Sequence, residues 1–391
     1  MDTSCQKKAV VVGGSNGIGL SIVKELIGKD YYVIICDKLQ PDSSLNEFEE
    51  SIQYYNCDLL YYEEDLFNSL ALDQSIDCLM ITAGFGRVSN FEYIHEAEIK
   101  NLFEVNTVSA LRIIKAFYNR INSNDPFFCG IMGSIAGLIN SPMFSVYAAS
   151  KAAICRFVES VNIELEAGKK KNRILNVSPG SIKGTRFNGA LKNDFDETKS
   201  LASTIVTMLM ASQELFIPQY EEVFKRVINE NKANPHEFGL NSYAYKISSG
   251  RAINEEKVVI GYLSGTFDLF HIGHLNLLKR AKAQCDYLIV GVHPNASHKG
   301  KQTFIPFDER KEILRSIKYV DKVVQSCPED SDAWNLWHYN KLFVGSDYKG
   351  TERFNNYERF FADKNVEIVY FPYTKGTSST QIRNVLFDDR Q

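Results

Sequence analysis

From residue 8 onward, short apolar runs rich in β-branched and aromatic residues alternate with longer stretches in which apolar positions recur every three or four residues. The short runs Ala9–Val12, Tyr31–Cys36, Gln53–Cys57, Asp77–Thr82, Phe127–Met132 and Arg173–Val177 predict strands, since a strand covered on both faces is apolar along its length. Between the first two, Ile22, Val23, Leu26 and Ile27 share one helical face. Strands separated by helices call for crossover connections, so the expected fold is α/β with a doubly wound, parallel, Rossmann-like sheet. After Pro179 the rhythm lapses. Residues 196–233 predict helix, and the turn-rich, polar stretch 231–257 predicts a domain tail followed by a linker. A second alternation follows, with strands at Val258–Leu263, Asp286–Val292, near Val320–Val324, Leu342–Val344 and Val366–Phe371. Helices are expected at 274–284 and 308–317, with a short closing helix opened by "TSSTQIR". Two such domains in tandem, 1–250 and 256–391, are the reading, and no internal repeat links them.

Composition narrows the partners. The 391 residues carry a net charge of −4. Up to Glu255 there are 25 basic and 31 acidic residues, and beyond it 19 and 17. Neither half is basic enough for a nucleic-acid groove, so small-molecule substrates are expected. Eight scattered cysteines without a CxxC pair read as buried thiols in a reducing compartment. The N-terminus lacks a signal-peptide core, and no apolar run reaches the roughly 18–20 residues of a membrane span, so a cytoplasmic protein with no membrane partner is expected.

Two stretches carry chemistry. In "VVVGGSNGIG", Gly13, Gly17 and Gly19 fall between a strand and a helix, where bare backbone N–H groups suit a pyrophosphate. Asp37 ends the second strand and can accept from a ribose 2′-OH, while Lys38 can attract a 2′-phosphate; NAD and NADP both stay open, with NAD favoured. Asp58 ends the third strand, placed to meet an adenine amino group. Farther on, Ser134 follows a strand and Tyr147 and Lys151 stand one helical turn apart in "YAASK". There Ser134 can bond a substrate oxygen, Tyr147 can pass a proton, and the Lys151 ammonium can lower the phenol's pKa and hold a ribose.

With these residues the first half resembles the short-chain dehydrogenase/reductase family over about Lys8–Arg251. The resemblance implies a catalytic set of Asn106, Ser134, Tyr147 and Lys151. It also implies a dinucleotide held by Gly13, Ser15, Asn16, Gly17, Ile18 and Gly19, by Asp37, Asp58 and Leu59, by Ala83 and Gly84 of "TAG", by Pro179 and Gly180 of "SPG", and by Ile182 and Thr185. Thr82 stands where the family has Asn, "PGSIKGT" carries one extra residue, and the family's late strand is hard to find.

In "GTFDLFHIGH", Gly265 ends a strand and His274 opens a helix, so His271 and His274 can direct imidazole N–H donors at phosphates above a helix N-terminus. The helix dipole favours their neutral form. A zinc pair would need further ligands, for which only His293 and His298 lie nearby, and no protein-ligated metal is expected. This half resembles the glycerol-3-phosphate cytidylyltransferase group of HxGH nucleotidyltransferases, with "FDERKEILRSIKYVDKVV" and "YTKGTSSTQIR" continuing the match. The resemblance implies that Gly265, Thr266, Phe267 and Asp268 frame CTP and that His271 and His274 bind its triphosphate. Lys299, Lys301, Arg310 and Thr377, Ser378, Ser379 and Thr380 would complete the cradle, with Asp347 near the base or ribose and Mg²⁺ on the phosphates. Tyr373 replaces the signature's first arginine.

Together the halves imply a bifunctional enzyme. It would reduce a keto-sugar or keto-triose phosphate with NAD(P)H, then form a CDP-polyol of the ribitol or glycerol type for capsule or teichoic-acid synthesis. The alternatives are an ethanolamine- or choline-phosphate cytidylyltransferase joined to an unrelated reductase, and a transferase with a non-catalytic NAD(H)-sensing domain. The family suggests a homodimer or homotetramer.

Overall fold

The computed structural model describes residues 6–182, 195–250, 258–295, 302–372 and 381–382. The chain divides into two compact units, Met1–Glu255 and Glu256–Gln391. The first contains β1 (Lys8–Val12), α1 (Gly17–Ile27), β2 (Tyr32–Asp37), β3 (Ile52–Asn56), α2 (Glu64–Leu72) and β4 (Ile76–Ile81). It continues through α3 (Glu96–Phe103), α4 (Ser109–Ala116), α5 (Tyr118–Ile121), β5 (Phe128–Met132), α6 (Ser145–Ala167) and β6 (Ile174–Val177). It closes with α7 (Phe195–Met210), β7 (Leu215–Phe216), α8 (Lys225–Ala233) and α9 (Pro235–Ser248). All pairings are parallel, in the order β3-β2-β1-β4-β5-β6-β7.

Alternation along β1 divides the core. Val10 and Val12 join Ile34, Leu79, Ile113 and Val158 on one face, while Ala9 and Val11 join Leu20, Val33, Met80 and Val206 on the other. Helices on both faces are what a fully apolar parallel sheet demands. In α1, Leu20, Ile22, Val23 and Leu26 are fully buried, each contributing about 2 kcal/mol. Several cysteines in or next to the strands belong to this core: burial pushes the thiols of Cys57 and Cys129 up to about 12, which makes them inert, and the seven described cysteines are all free.

The second unit contains β8 (Ile260–Gly265), α10 (Ile272–Lys282), β9 (Tyr287–Val292), α11 (Phe307–Arg315), β10 (Lys322–Gln325) and α12 (Asp330–Trp337). It ends with β11 (Lys341–Gly345), α13 (Glu352–Phe361) and β12 (Glu367–Phe371). Its parallel sheet runs β10-β9-β8-β11-β12. Strand order reverses at β1/β4 in the first sheet and at β8/β11 in the second, and the crevice at such a switch point is where doubly wound sheets bind ligands. Among the described residues no helix is long and apolar enough to cross a membrane.

Two sequence expectations need correction. The stretch expected as tail and linker contains α9, whose start was signalled: Asn234 Oδ1 accepts from the Glu237 N–H (3.1 Å) and Pro235 occupies the first turn. The late strand exists as β7, only two residues long, paired to Asn176 and Val177 of β6.

Candidate active sites

In the first unit the chain leaves β1 through Gly13 at φ +87°. A Cβ there would lie 2.5 Å from the Ala83 nitrogen, and one on Gly19 would lie 2.1 Å from the Gly13 carbonyl oxygen. Bare backbone is therefore required at the β1/β4 crevice. Thr82 takes over a fastening role, its Oγ1 lying 3.1 and 3.0 Å from the Val12 and Gly13 carbonyls it donates to. Asp37 braces the same turn, accepting from the Ser15 and Leu39 N–H groups (3.0 Å each). Asp58 Oδ1 accepts from the Leu60 N–H (3.0 Å) and caps the turn Leu59–Tyr61, with Leu59 buried. Asn16 and Ile18 flank Gly17 at the start of α1.

Four side chains meet beyond this cradle. Asn106 lies in a π-helical turn, Glu104–Val108, buried between helices. Its amide exchanges two bonds with the Phe85 backbone (2.9 Å each) and donates to Ser150 Oγ (3.1 Å). Ser150 Oγ donates in turn to the Tyr147 carbonyl (2.7 Å). Ser150 was visible inside "YAASK" but went unassigned from sequence. Ser134 Oγ accepts from the Ala136 N–H (3.2 Å) and hydrogen-bonds the Tyr147 phenol. Lys151 Nζ donates to the Met132 carbonyl (2.8 Å) and lies 6.0 Å from the centre of the Tyr147 ring. The expected lowering of the phenol's pKa is reversed in this structure. Burial pushes Tyr147 up to about 12, against the opposing Ser134 bond, and pulls Lys151 down to about 8. A phenol so raised is protonated at neutral pH and can serve as an acid. Pro179 accepts from the Ile135 N–H (3.0 Å), Gly180 packs under Phe224, and Ile182 ends the described segment; Thr185 lies outside the described residues.

In the second unit, β8 ends at Gly265 and the turn bends through positive φ at Phe267 (51°) and Leu269 (48°) into α10. His271 caps this helix: its Nδ1 accepts from the Gly273 N–H (3.0 Å), and His274 Nδ1 accepts from the His271 N–H (3.4 Å). An Nδ1 that accepts cannot carry a proton in the neutral ring, so both Nε2 atoms are N–H donors. Burial lowers the His271 pKa and favours the same state. The two rings lie 4.0 Å apart, and the rings of Phe267 and Phe270 lie 5.3 and 5.5 Å from that of His274. Thr266 Oγ1 is buried without a hydrogen-bond partner at the start of this turn.

Two residues expected at the nucleotide do other work. Asp268 is buried, and its carboxylate accepts from the Phe304 and Ile305 N–H groups (2.9–3.1 Å), fastening that loop. Arg310 is 1% exposed. Its guanidinium donates to the carbonyls of Ile305 (2.9 Å), Thr266 (2.5 Å), His293 (2.8 Å) and Pro294 (2.8 Å). Four of its five donors are thus committed to backbone, which differs from the phosphate-facing position the resemblance implies. Asp347 is exposed in the turn Ser346–Tyr348 after β11, across the switch point from Gly265. His293 Nδ1 pairs with Ser326 Oγ (2.6 Å). Lys299, Lys301, Tyr373 and Thr377–Thr380 lie outside the described residues, as does most of the expected closing helix.

Residues 7–195 match the family described as short chain dehydrogenase, and residues 262–385 the family described as cytidylyltransferase-like. A glycerol-3-phosphate cytidylyltransferase of Bacillus subtilis is 37% identical over 131 residues, 32% of this chain and 95% of that protein. An NADPH-dependent 1-acyldihydroxyacetone phosphate reductase of Saccharomyces cerevisiae is 30% identical over 188 residues, 45% of this chain. This chain spans 61% of the length of the curated oxidoreductases it matches. The solved structure of a short-chain dehydrogenase from Streptomyces avermitilis aligns with 63% of this chain and 99% of its own, with a TM-score of 0.50 at 18% identity, a likeness of fold. The chain belongs to the cytidylyltransferase-like family through its second unit, fused to a short-chain dehydrogenase domain in its first.

Proposed function

We propose that this chain makes an activated polyol in two consecutive steps. The observation that carries the reading is the presence in one chain of a buried, protonated phenol bonded to Ser134 and of two histidines at a helix start whose Nδ1 atoms accept, leaving Nε2–H donors. Reduction of a phosphorylated ketone yields a hydroxylated phosphate, which is what a cytidylyltransferase of this group takes as acceptor. The yeast relative is named for a phosphorylated ketone and the bacterial one for glycerol 3-phosphate, which supports substrates of both kinds.

In the first unit, the missing Cβ atoms of Gly13 and Gly19 let the turn close against Ala83 and the Gly13 carbonyl, which leaves bare backbone and the start of α1 at the crevice, a fit for a pyrophosphate; a bound nicotinamide dinucleotide supplies the hydride. The chain's own residues then orient and protonate: Ser134 holds the carbonyl oxygen, Tyr147 delivers its phenolic proton to it, and Lys151 and Asn106 hold Tyr147 in place. The Asp37 charge favours NAD over NADP, and the yeast relative's use of NADPH is the contrary indication. In the second unit the acceptor's phosphate oxygen attacks the α-phosphorus of CTP, and the bond to the bridging oxygen breaks to release pyrophosphate. His271 and His274 offer neutral N–H donors to the charge that develops there. Mg²⁺ would arrive with the triphosphate and neutralise its charge.

The test is formation of a CDP-polyol from CTP, Mg²⁺, NADH or NADPH and either ribulose 5-phosphate or dihydroxyacetone phosphate. Product that forms without reductant from ethanolamine or choline phosphate would refute the polyol reading. Tyr147→Phe separates the last alternative: it should abolish product from the ketone and spare product from the polyol phosphate. A non-catalytic first domain predicts no change.

A further inference from the structure

Neither family match covers residues 196–261, yet α8 and α9 reach back from this stretch to the reductase site. Asn140 Nδ2 donates to the Pro235 carbonyl (2.8 Å), and its backbone N–H donates to Asn231 Oδ1 (3.0 Å). At the far end of α9 the Lys246 ammonium donates to the Pro142 carbonyl (2.6 Å) and Ser141 Oγ (3.2 Å). It also lies 5.3 Å from the centre of the Phe144 ring. Between these tethers runs an open groove of about 710 Å³, lined by Leu240 and Tyr243 on one side and Ala148 and Ala152 on the other. These polar bonds from α8 and α9 thus fall on the loop 140–142.

That loop leads into a strained residue. Met143 is buried and adopts φ +63° without being glycine, and its carbonyl accepts from the Ser89 N–H (2.8 Å). A left-handed residue of this kind costs about 1–2 kcal/mol and persists only where its surroundings over-determine it. The next residue, Phe144, is the N-cap of α6, and its ring lies 5.3 Å from that of Tyr147. Relaxation at Met143 would shift Phe144 and the first turn of α6, which carries the proton donor.

We propose that Lys246 is a positioning residue for ketone reduction and that α8 and α9 form a clasp holding Met143, Phe144 and hence Tyr147 in their working geometry. The inference rests on the reading of Tyr147 as proton donor. These contacts of Lys246 fall on Ser141, Pro142 and Phe144, at the entrance to α6, so its effect should be confined to proton delivery. The experiment compares full-length Lys246→Met and Lys246→Arg with the wild type. With methionine, kcat for reduction should fall at least about tenfold, since small misplacements cost that much, while KM for the dinucleotide and cytidylyl transfer hold. Arginine, which keeps the charge and the donors, should restore most of the rate. Amide hydrogen exchange across 141–147 should rise by about fivefold or more with methionine, with β1 unchanged. Unchanged exchange, or loss of dinucleotide affinity in step with kcat, would overturn the proposal. The exchange measurement needs no substrate: raised exchange beside a wild type that reduces no ketone would sink the substrate reading and leave the clasp standing.

Discussion

Lys151→Met should make the first unit more stable while abolishing reduction. Lys151 is 3% exposed, and burial pulls its ammonium from an ordinary value of 10.5 to about 8. At about 1.4 kcal/mol per pKa unit, keeping that ammonium charged inside the fold costs about 3 kcal/mol at neutral pH. The bond to the Met132 carbonyl returns about 1 kcal/mol of this, so methionine, of similar length, should gain about 2 kcal/mol. The pH dependence fixes the sign. Below the folded value of about 8 both states hold the proton and the penalty is whole. Between there and 10.5 the unfolded chain holds it more tightly, so wild-type stability rises with pH and the variant's advantage fades. Tyr147 acts oppositely: its stabilising share is whole below 10 and is lost as pH rises through about 12, so the measurement stays below 10. Urea unfolding at about pH 7 and about pH 9.5, followed by far-UV circular dichroism, reads the effect. Both tryptophans, Trp334 and Trp337, belong to the second unit, so fluorescence supplies a transition that should not move. A variant less stable than wild type at pH 7, or an advantage equal at both pH values, would refute the reasoning.

Other substitutions separate fastening from chemistry. His271→Asn keeps a side-chain cap for α10 but removes an Nε2 donor, and cytidylyl transfer should fall on the order of a hundredfold or more while ketone reduction holds, measured in parallel assays. Arg310→Gln leaves buried carbonyls unpaired and should lower the second unit's stability by about 3 kcal/mol or more, read as the tryptophan transition in urea. Gly13→Ala places a methyl 2.5 Å from the Ala83 nitrogen at a positive φ, and dinucleotide binding by fluorescence titration should vanish with the cytidylyl transfer rate unchanged.

Most of both sheets was legible because central strands such as β1 and β9 are apolar nearly throughout and helix-length segments separate the strands. β7 escaped because two residues carry no period, and α9 because Phe238 and Tyr245 lie on the side opposite Leu240, Tyr243 and Ile247, so no single apolar stripe forms; its cap, Asn234 followed by Pro235, was the better signal. Glycine spacing and "YAASK" located the cradle and the tyrosine, since those roles depend on backbone shape and helical repeat. The burden on Asp268 and Arg310 was not legible. Sequence reports that a charged residue sits in a motif, but whether it faces a ligand or the backbone depends on which carbonyls and N–H groups converge there. The same blindness hid the sign of the Tyr147 shift, which burial decides.

The arginine beneath the second turn has a consequence for how variants there are interpreted. By gathering the carbonyl oxygens of Thr266, His293, Pro294 and Ile305 onto itself, Arg310 keeps four partial negative charges engaged at the edge of the sheet where a polyanion would arrive. Freed, those oxygens would repel it. An Arg310 variant would then lose nucleotide affinity with no contact between guanidinium and phosphate, and a raised KM at this position would report the removal of a shield.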